Sequence, residues 1–338
     1  MGNRRFINEL ASGQAVDQVF LVRQKDLRTT SKGGLYIACV LADRTGTIPG
    51  RMWQATEAIY RGIPDSGLVQ VHGRVESYKG QPQLVIDGLR PVAAESVDLA
   101  DFMPHTEGDI EQMWSELLEI LRAVKNRHLR MLIKKFVEDR ELVAAFKKSP
   151  AAMEMHQAYI GGLLEHTLCM AKLAQNILPL YPNLNADLLL TGVFLHDIGK
   201  TAELSPEPGF AYTDRGQLVG HITIGATWVQ QKADAVAAET GEPFAQQTLD
   251  LLVHLILSHH GAYEFGSPRL PMIPEAAALH YLDNLDAKMH MFAQRIAADP
   301  DDEASFTAYQ RQLEVRIYKN SGTLDGDGPA DLFAGEQS

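Results

Sequence analysis

Two cysteines in 338 residues, Cys39 and Cys169, are too few and too far apart to staple a small secreted scaffold. Each lies inside an apolar run, which predicts free, buried thiols in a reducing compartment. No apolar run approaches the roughly 18–20 residues that a membrane span needs. The opening Met1-Gly2-Asn3-Arg4-Arg5 leads into mixed sequence rather than an apolar signal core. Gly2 completes no acylation motif, because position 6 is Phe6 in place of Ser or Thr. Glycine (27) and proline (16) are near average and show no period, which excludes collagen-like and low-complexity architecture. These absences predict a cytoplasmic protein. What is present, 45% apolar and 22% charged residues, suffices for two domains with their own cores.

An excess of basic charge is also lacking, since the net charge is −12. Taken whole, that argues against a nucleic-acid partner. The distribution changes the argument. Residues 1–95 carry a net +3, residues 96–150 a net −1 and residues 151–338 a net −14. The acidity therefore belongs to the carboxy-terminal half, as carboxylate-rich metal chemistry or a solvated surface.

Periodicity divides the chain. Over residues 15–93, short apolar runs alternate with Gly-containing turns such as Lys32-Gly33-Gly34, Arg44-Thr45-Gly46 and Tyr78-Lys79-Gly80, and a short helical stretch runs from Gln54 to Arg61. Strand, hairpin, helix and two further strands fit a small OB-fold barrel, with any scaffolding barrel as the alternative. The expected organisation is an OB-fold domain over 1–93, a linker and connecting helices over 94–150, a helical domain over 151–320 and a flexible tail over 321–338. From Ile110, Met113, Trp114, Leu117, Leu118, Leu121 and Val124 the spacing is helical. Helices are expected over 129–146, 162–178, 186–195, 221–238, 246–258, 274–298 and 303–318. The fold class is thus multidomain, a small all-β barrel followed by an all-α domain.

The chemistry lies in the helical half, where nine of the 12 histidines fall between His156 and His290. An apolar helix runs straight into His196-Asp197, followed by Ile198-Gly199-Lys200. Burying that pair is costly unless something satisfies it. A divalent ion does so with nitrogen and oxygen ligands; an Asp–His hydrogen bond is the plainer alternative. His166, His221, His259-His260 and Asp283 are similarly placed at apolar helices. Asp283, Asp286 and His290 can share one helical face.

This H…HD…D order, His166, His196-Asp197 and Asp283, resembles the HD superfamily of metal-dependent phosphohydrolases. Five stretches, GGLLEHTL (161–168), FLHDIGKTAEL (194–204), GQLVGHITIG (216–225), LILSHHGAYEFGSPRLP (255–271) and EAAALHYLDNLDAKM (275–289), are similar to the YhaM-type 3′–5′ exoribonucleases. That family joins an amino-terminal OB-fold to an HD domain, in the order read here. One departure stands out: where the family often has two adjacent histidines before the GGL block, this chain has His156-Gln157.

The resemblance implies a hydrolase, a metal-dependent phosphodiesterase acting from the 3′ end of single-stranded RNA, or of DNA, with no membrane partner. His166, His196, Asp197 and Asp283 are assigned to one ion. His221, His259 and His260 are assigned to a second ion or to the scissile phosphate. Lys200, with His196 and Asp197, completes the catalytic set. The family points to Mn²⁺ first, with Fe, Zn, Ni, Co or Mg as alternatives, one or two ions per chain. The barrel would grip the strand through Lys32, Tyr36, Arg44, Trp53, Arg74, Tyr78 and Lys79, with Arg23, Lys25, Arg28, Arg51 and Tyr60 also available. Arg127, Arg130, Lys134 and Lys135 form a further basic patch or a solvated face. A homo-oligomer gathering several barrels around each helical site is a hypothesis. The rival readings are a phosphohydrolase of small nucleotides and a non-catalytic nucleic-acid-binding regulator with a structural metal.

Overall fold

Alternating apolar residues close the amino-terminal part into a barrel. A computed structural model describes residues 4–31, 33–65, 67–78, 80–103, 105–152, 159–205, 211–301, 303–311 and 313–319. Strands β1 (Ala15–Thr29), β2 (Leu35–Asp43), β3 (Gly46–Trp53), β4 (Gly67–Tyr78) and β5 (Gln81–Val92) are joined in the order β1-β2-β3-β5-β4. All pairings are antiparallel except β3 with β5, and helix α1 (Glu57–Gly62) sits between β3 and β4. This is the OB-type barrel expected from the turn pattern. Phe20, Val22, Ile37, Leu41, Ile48, Val69, Val71, Leu84 and Ile86 fill it. Cys39 is buried and Cys169 half-buried, and neither forms a disulfide among the described residues.

The stretch after the barrel is more than a spacer. Two short 3-10 turns, Ala94–Ser96 and Leu99–Asp101, lead to Phe102 and Met103, which are buried against Leu21, Ala42 and Leu68 of the barrel wall.

Helices follow: α2 (Ile110–Leu121), α3 (Arg127–Val137), α4 (Arg140–Lys148), α5 (Gly162–Ile177), α6 (Ala186–Leu195) and α7 (Lys200–Glu203). A two-stranded ribbon, β6 (Leu204–Ser205) with β7 (Ala211–Tyr212), precedes α8 (Asp214–Val219), α9 (His221–Thr240), α10 (Gln246–Ser258) and α11 (Pro274–Ala297). The single helix expected over 129–146 is two. The Asp139 carboxylate accepts from the Leu142 amide at 3.1 Å, caps α4 and so ends α3. One core, from Met113 on α2 to Leu282 on α11, runs through the helices. No helix among the described residues is long and apolar enough to cross a membrane.

By compactness the chain divides into Met1–Asn284 and Leu285–Ser338. In the second unit, the described residues of the helix expected over 303–318 are not helical. Instead Phe306 bridges Tyr318 and Gln310 bridges Val315, with Glu314 at φ 56° in the turn. The Asp299 carboxylate takes up the amides of Asp301 and Ala308, and Thr307 bonds Ile317, so local polar contacts and β-branched residues outcompete the helical pattern.

Candidate metal centre

Helix α6 explains why its end is reactive. Leu188 to Leu195 are buried all round, so its last carbonyls and the residues after it emerge in the interior. His196 is the C-cap, Asp197 and Ile198 follow, and Lys200 opens α7. His166 is fully buried on α5. His221 starts α9 just after Gly220, whose φ is 74°. His259 is the C-cap of α10 and His260 the next residue, while Asp283 lies on α11. Gly199 lets two backbones touch: a Cβ there would fall 2.1 Å from the His221 carbonyl oxygen. Gly261 does the same for a side chain, since a Cβ would fall 2.2 Å from the His280 ring. His280 in turn holds the His259 carbonyl through Nδ1 at 2.8 Å.

Four of the candidate ligands, His166, His196, His221 and His259, surround the carboxylate of a fifth, Asp197, with Asp283 beside His166 and His260 beside His221 and His259. Asp197 Oδ2 is 3.3 Å from His196 Nε2, 3.9 Å from His166 Nε2 and 2.6 Å from Lys200 Nζ. Its Oδ1 faces the other side, 3.4 Å from His221 Nε2 and 3.5 Å from His259 Nε2. His166 Nε2 lies 3.3 Å from Asp283 Oδ1 and 3.3 Å from His196 Nε2. His221, His259 and His260 offer ligand atoms within 4.8 Å of one another, as do His166, His196 and Asp197.

The opposite ring edges are committed. His196 Nδ1 donates to the Val193 carbonyl at 2.8 Å, His259 Nδ1 to Ile256 at 2.7 Å and His260 Nδ1 to Phe265 at 2.7 Å. His221 Nδ1 meets Glu203 Oε1 at 3.0 Å. Carbonyls and carboxylates only accept, so these rings carry their proton on Nδ1 and turn a bare Nε2 lone pair inward. Three buried atoms of this cluster then have no hydrogen-bond partner among the described residues: Asp197 Oδ1, His221 Nε2 and His259 Nε2. Acceptors facing acceptors in a dry interior fit a bound cation. Two ligand groups on the two oxygens of Asp197 fit either one ion or a bridged pair.

Electrostatics agree. Burial alone would raise the Asp197 carboxyl, but Lys200 and His196 outweigh it and hold it well below the usual range. Asp283 is likewise held down, against burial, by His166. Burial would lower Lys200, and the attraction of Asp197 raises it instead. Burial pushes His259 down, and burial with the neighbouring His259 takes His260 to about 4.

Glu203 was not among the sequence candidates. It is buried, accepts from the His221 ring and from the His221 amide at 2.9 Å, and stays ionised because these bonds outweigh its burial. Its only sequence signal is an acid one turn beyond Lys200, in a short polar helix. Asp286, within the second unit, is buried beside His290, whose Nδ1 lies 3.1 Å from the Asp286 carbonyl oxygen.

On the barrel, Tyr36 and Trp53 are cross-strand partners of β2 and β3 with ring centroids 5.0 Å apart, and Trp53 is 51% exposed. Tyr78 is also exposed. Arg74 is engaged by Glu76 and Asp87, and Arg44 lies over the Phe6 ring. Lys25 departs from a strand-tracking role: its ammonium is buried, bonded to the Tyr60 and Ile63 carbonyls at the end of α1 and paired with Asp65. Arg28 is paired with Asp26. On the connecting helices, Arg127 pairs with Glu242, Lys134 with Glu138 and Lys135 with Glu239, which makes that patch a neutralised, solvated face. Lys32, Lys79, His156 and the tail over 321–338 lie outside the described residues.

The HD domain family model matches residues 163–288, a span that holds every candidate ligand named above. The protein named 3′-5′ exoribonuclease YhaM from Bacillus subtilis is 36% identical over 280 residues, covering 82% of this chain and 87% of that protein. The protein of the same name from Geobacillus sp. is 36% identical over 314 residues, covering 90% and 92%. That from Listeria monocytogenes is 34% identical over 284 residues. Among solved structures, the second OB-fold domain of replication protein A from Methanococcus maripaludis aligns with a TM-score of 0.23 at 20% identity, covering 28% of this chain and 98% of that one. With the HD ligand set assembled behind an OB-type barrel, and relatives of this identity matched over most of their length, the chain belongs to the YhaM 3′-5′ exoribonuclease family.

Proposed function

We propose that this protein is a divalent-metal-dependent 3′–5′ exonuclease of single-stranded RNA. The observation that carries the reading is the convergence of Asp197 Oδ1, His221 Nε2 and His259 Nε2, buried and unpartnered, beside the His166, His196 and Asp283 group. A divalent ion there supplies Lewis acidity toward water and the phosphoryl oxygens. His166, His196, Asp197 and Asp283 would hold one ion, and Asp197 with His221, His259 and His260 a second. Mn²⁺ is the first choice on family grounds.

The residues then divide the work. Lys200 is half-buried against Asp197 and stays charged, so it can offset the negative charge that builds on the phosphate during attack. The carbonyl-anchored imidazoles keep their orientation before the substrate arrives, which removes a reorganisation cost from the barrier. Water adds to phosphorus, the P–O3′ bond of the penultimate nucleotide breaks, and a nucleoside 5′-monophosphate leaves with a new 3′-hydroxyl on the strand. The barrel would hold the upstream strand by stacking on Trp53 and Tyr36, a sequence-tolerant contact.

A 5′-fluorescein single-stranded RNA of about 20 nucleotides, long enough to fill an OB groove, tests this. The expected result is a descending ladder with mononucleotide product in Mn²⁺, abolished by EDTA and by His196→Ala in a folded protein. Intact RNA with every metal would overturn it. Running the same assay on DNA, and with each metal in turn, fixes substrate and ion preference.

A further inference from the structure

The loop after His259-His260 spends its bonds on display. Residues Tyr263–Phe265 form a single 3-10 turn that begins just beyond the metal-facing histidines. Its ends are fixed: the Ser267 hydroxyl, buried, donates to the Leu257 and Arg269 carbonyls at 3.0 and 2.7 Å, and the Ser267 amide bonds Ala262 at 3.2 Å. Gly261 at φ 76° packs on His280 and Gly266 at φ 79° closes the turn. Yet this pinned turn holds two large rings in solvent, Tyr263 at 65% and Phe265 at 64% exposure. Exposing aromatic surface this size forfeits burial unless a ligand covers it.

Position says which ligand. His260 Nδ1 donates to the Phe265 carbonyl, so the turn sits on the far side of that imidazole from its inward-facing Nε2. A chain end cleaved at the metal centre must place its last base within one nucleotide of that point. Glu264, exposed between the two rings, repels phosphate, so the loop offers ring faces to a strand and not charge. Every nucleobase has a π-face, and such stacking suits an exonuclease without sequence preference.

We propose that Tyr263 and Phe265 form the subsite that stacks the base of the 3′-terminal nucleotide, with the bond from Phe265 to His260 setting the subsite's distance from the reacting phosphate. The subsite rests on the exonuclease reading above. It is distinct from the stacking surface on the barrel, which is on another part of the chain.

The test pairs protein and substrate changes. Steady-state kinetics are measured on RNA ending in an ordinary or an abasic 3′-nucleotide, with the wild type, Tyr263→Ala, Phe265→Ala and the double variant. Stacking energies predict a rise in KM of roughly 5- to 100-fold per lost ring on ordinary RNA. The abasic end costs the wild type the same factor as losing both rings and costs the double variant nothing more. Tyr263→Phe and Phe265→Tyr retain wild-type KM, whereas Tyr263→Leu, similar in bulk without a ring, does not. Metal content and melting temperature are unchanged, since both side chains are exposed. Equal KM for wild type and double variant, or additive losses with the abasic end, would overturn the subsite while leaving the exonuclease reading intact. Absence of any RNA degradation by the wild type would instead remove the function on which it rests.

Discussion

Gly199→Ala changes no ligand and should still disable the centre. The backbone at Gly199 is helical, with φ −66° and ψ −19°, so alanine is conformationally welcome there. On that account alone the change would stabilise by about 0.4–1 kcal/mol through the unfolded state. Sterics oppose it. The new Cβ would lie 2.1 Å from the His221 oxygen, 2.8 Å from the His221 carbonyl carbon and 2.9 Å from the Gly225 amide nitrogen. All three are backbone atoms at the start of α9, so no rotamer change relieves the clash. The turn and α9 must separate by about 1 Å, a displacement that by itself can cost about 10²-fold in rate. Overpacking of this kind costs about 1–3 kcal/mol, which exceeds the entropic gain. The expected variant folds, is modestly destabilised in urea, binds less metal by elemental analysis and degrades RNA about 100-fold more slowly. Gly225→Ala is the control on the facing helix. Its Cβ meets only ordinary contacts at 3.5 Å and beyond, and it should be neutral or stabilising by up to about 1 kcal/mol with full activity. Wild-type rate and metal content in Gly199→Ala would refute the idea that this backbone contact places His221.

Glu203→Gln removes the charge that fixes the His221 ring while keeping its shape, and should lower metal affinity roughly 10- to 100-fold in titration calorimetry with melting intact; unchanged affinity would return Glu203 to a packing role. The metal-stripped protein should lose stability as pH falls from 6.5 toward 4. His260 sits at about 4 in the fold against 6.5 when free, so the unfolded chain takes up its proton first. The shift corresponds to up to about 3 kcal/mol. Urea melts across that window should show it, His260→Gln should flatten the slope, and stability rising on acidification would contradict the sign. Trp53→Ala should raise the KM for a 20-nucleotide strand roughly 5- to 100-fold, equally for ordinary and abasic 3′ ends; an effect confined to one end chemistry would move the barrel's contact to the scissile end.

The barrel was legible because strand alternation and turn glycines are local signals, and β1 to β5 follow them. The convergence of the candidate ligands was legible because His and Asp at apolar helix ends are anomalies against their neighbours. What escaped depends on geometry. The break between α3 and α4 needs to be known as a cap at Asp139, which in sequence is one more acid on a polar face. Lys25 reads as an exposed basic residue until α1 folds back and offers it the Tyr60 and Ile63 carbonyls. Glu203 becomes meaningful only when the turn at Gly199 carries it to His221, 18 residues away.

Two fully buried histidines, His196 and His259, show how the candidate centre follows from ordinary helix chemistry. An α-helix ends with carbonyls that lack partners, and an apolar helix ends with them out of reach of water. At α6 the imidazole of His196 donates to Val193, three residues back; at α10 that of His259 donates to Ile256, again three back. In each case one bond satisfies an orphan carbonyl, fixes the tautomer and aims the other nitrogen along the helix axis into the interior. A histidine immediately after a buried apolar helix is therefore a cap and, on the proposed function, a preset ligand, and the same local device used twice places two imidazoles at opposite oxygens of Asp197. The cost is a pair of lone pairs turned toward a carboxylate, an arrangement that water-free protein does not stabilise. On the proposed function, a cation completes this arrangement. Calorimetric melting of the stripped and loaded protein should show stabilisation of about 2.7 kcal/mol with metal at a hundred times its dissociation constant. His259→Ala should lose most of that gain, and a stripped protein as stable as the loaded one would show that the helix ends are satisfied without an ion.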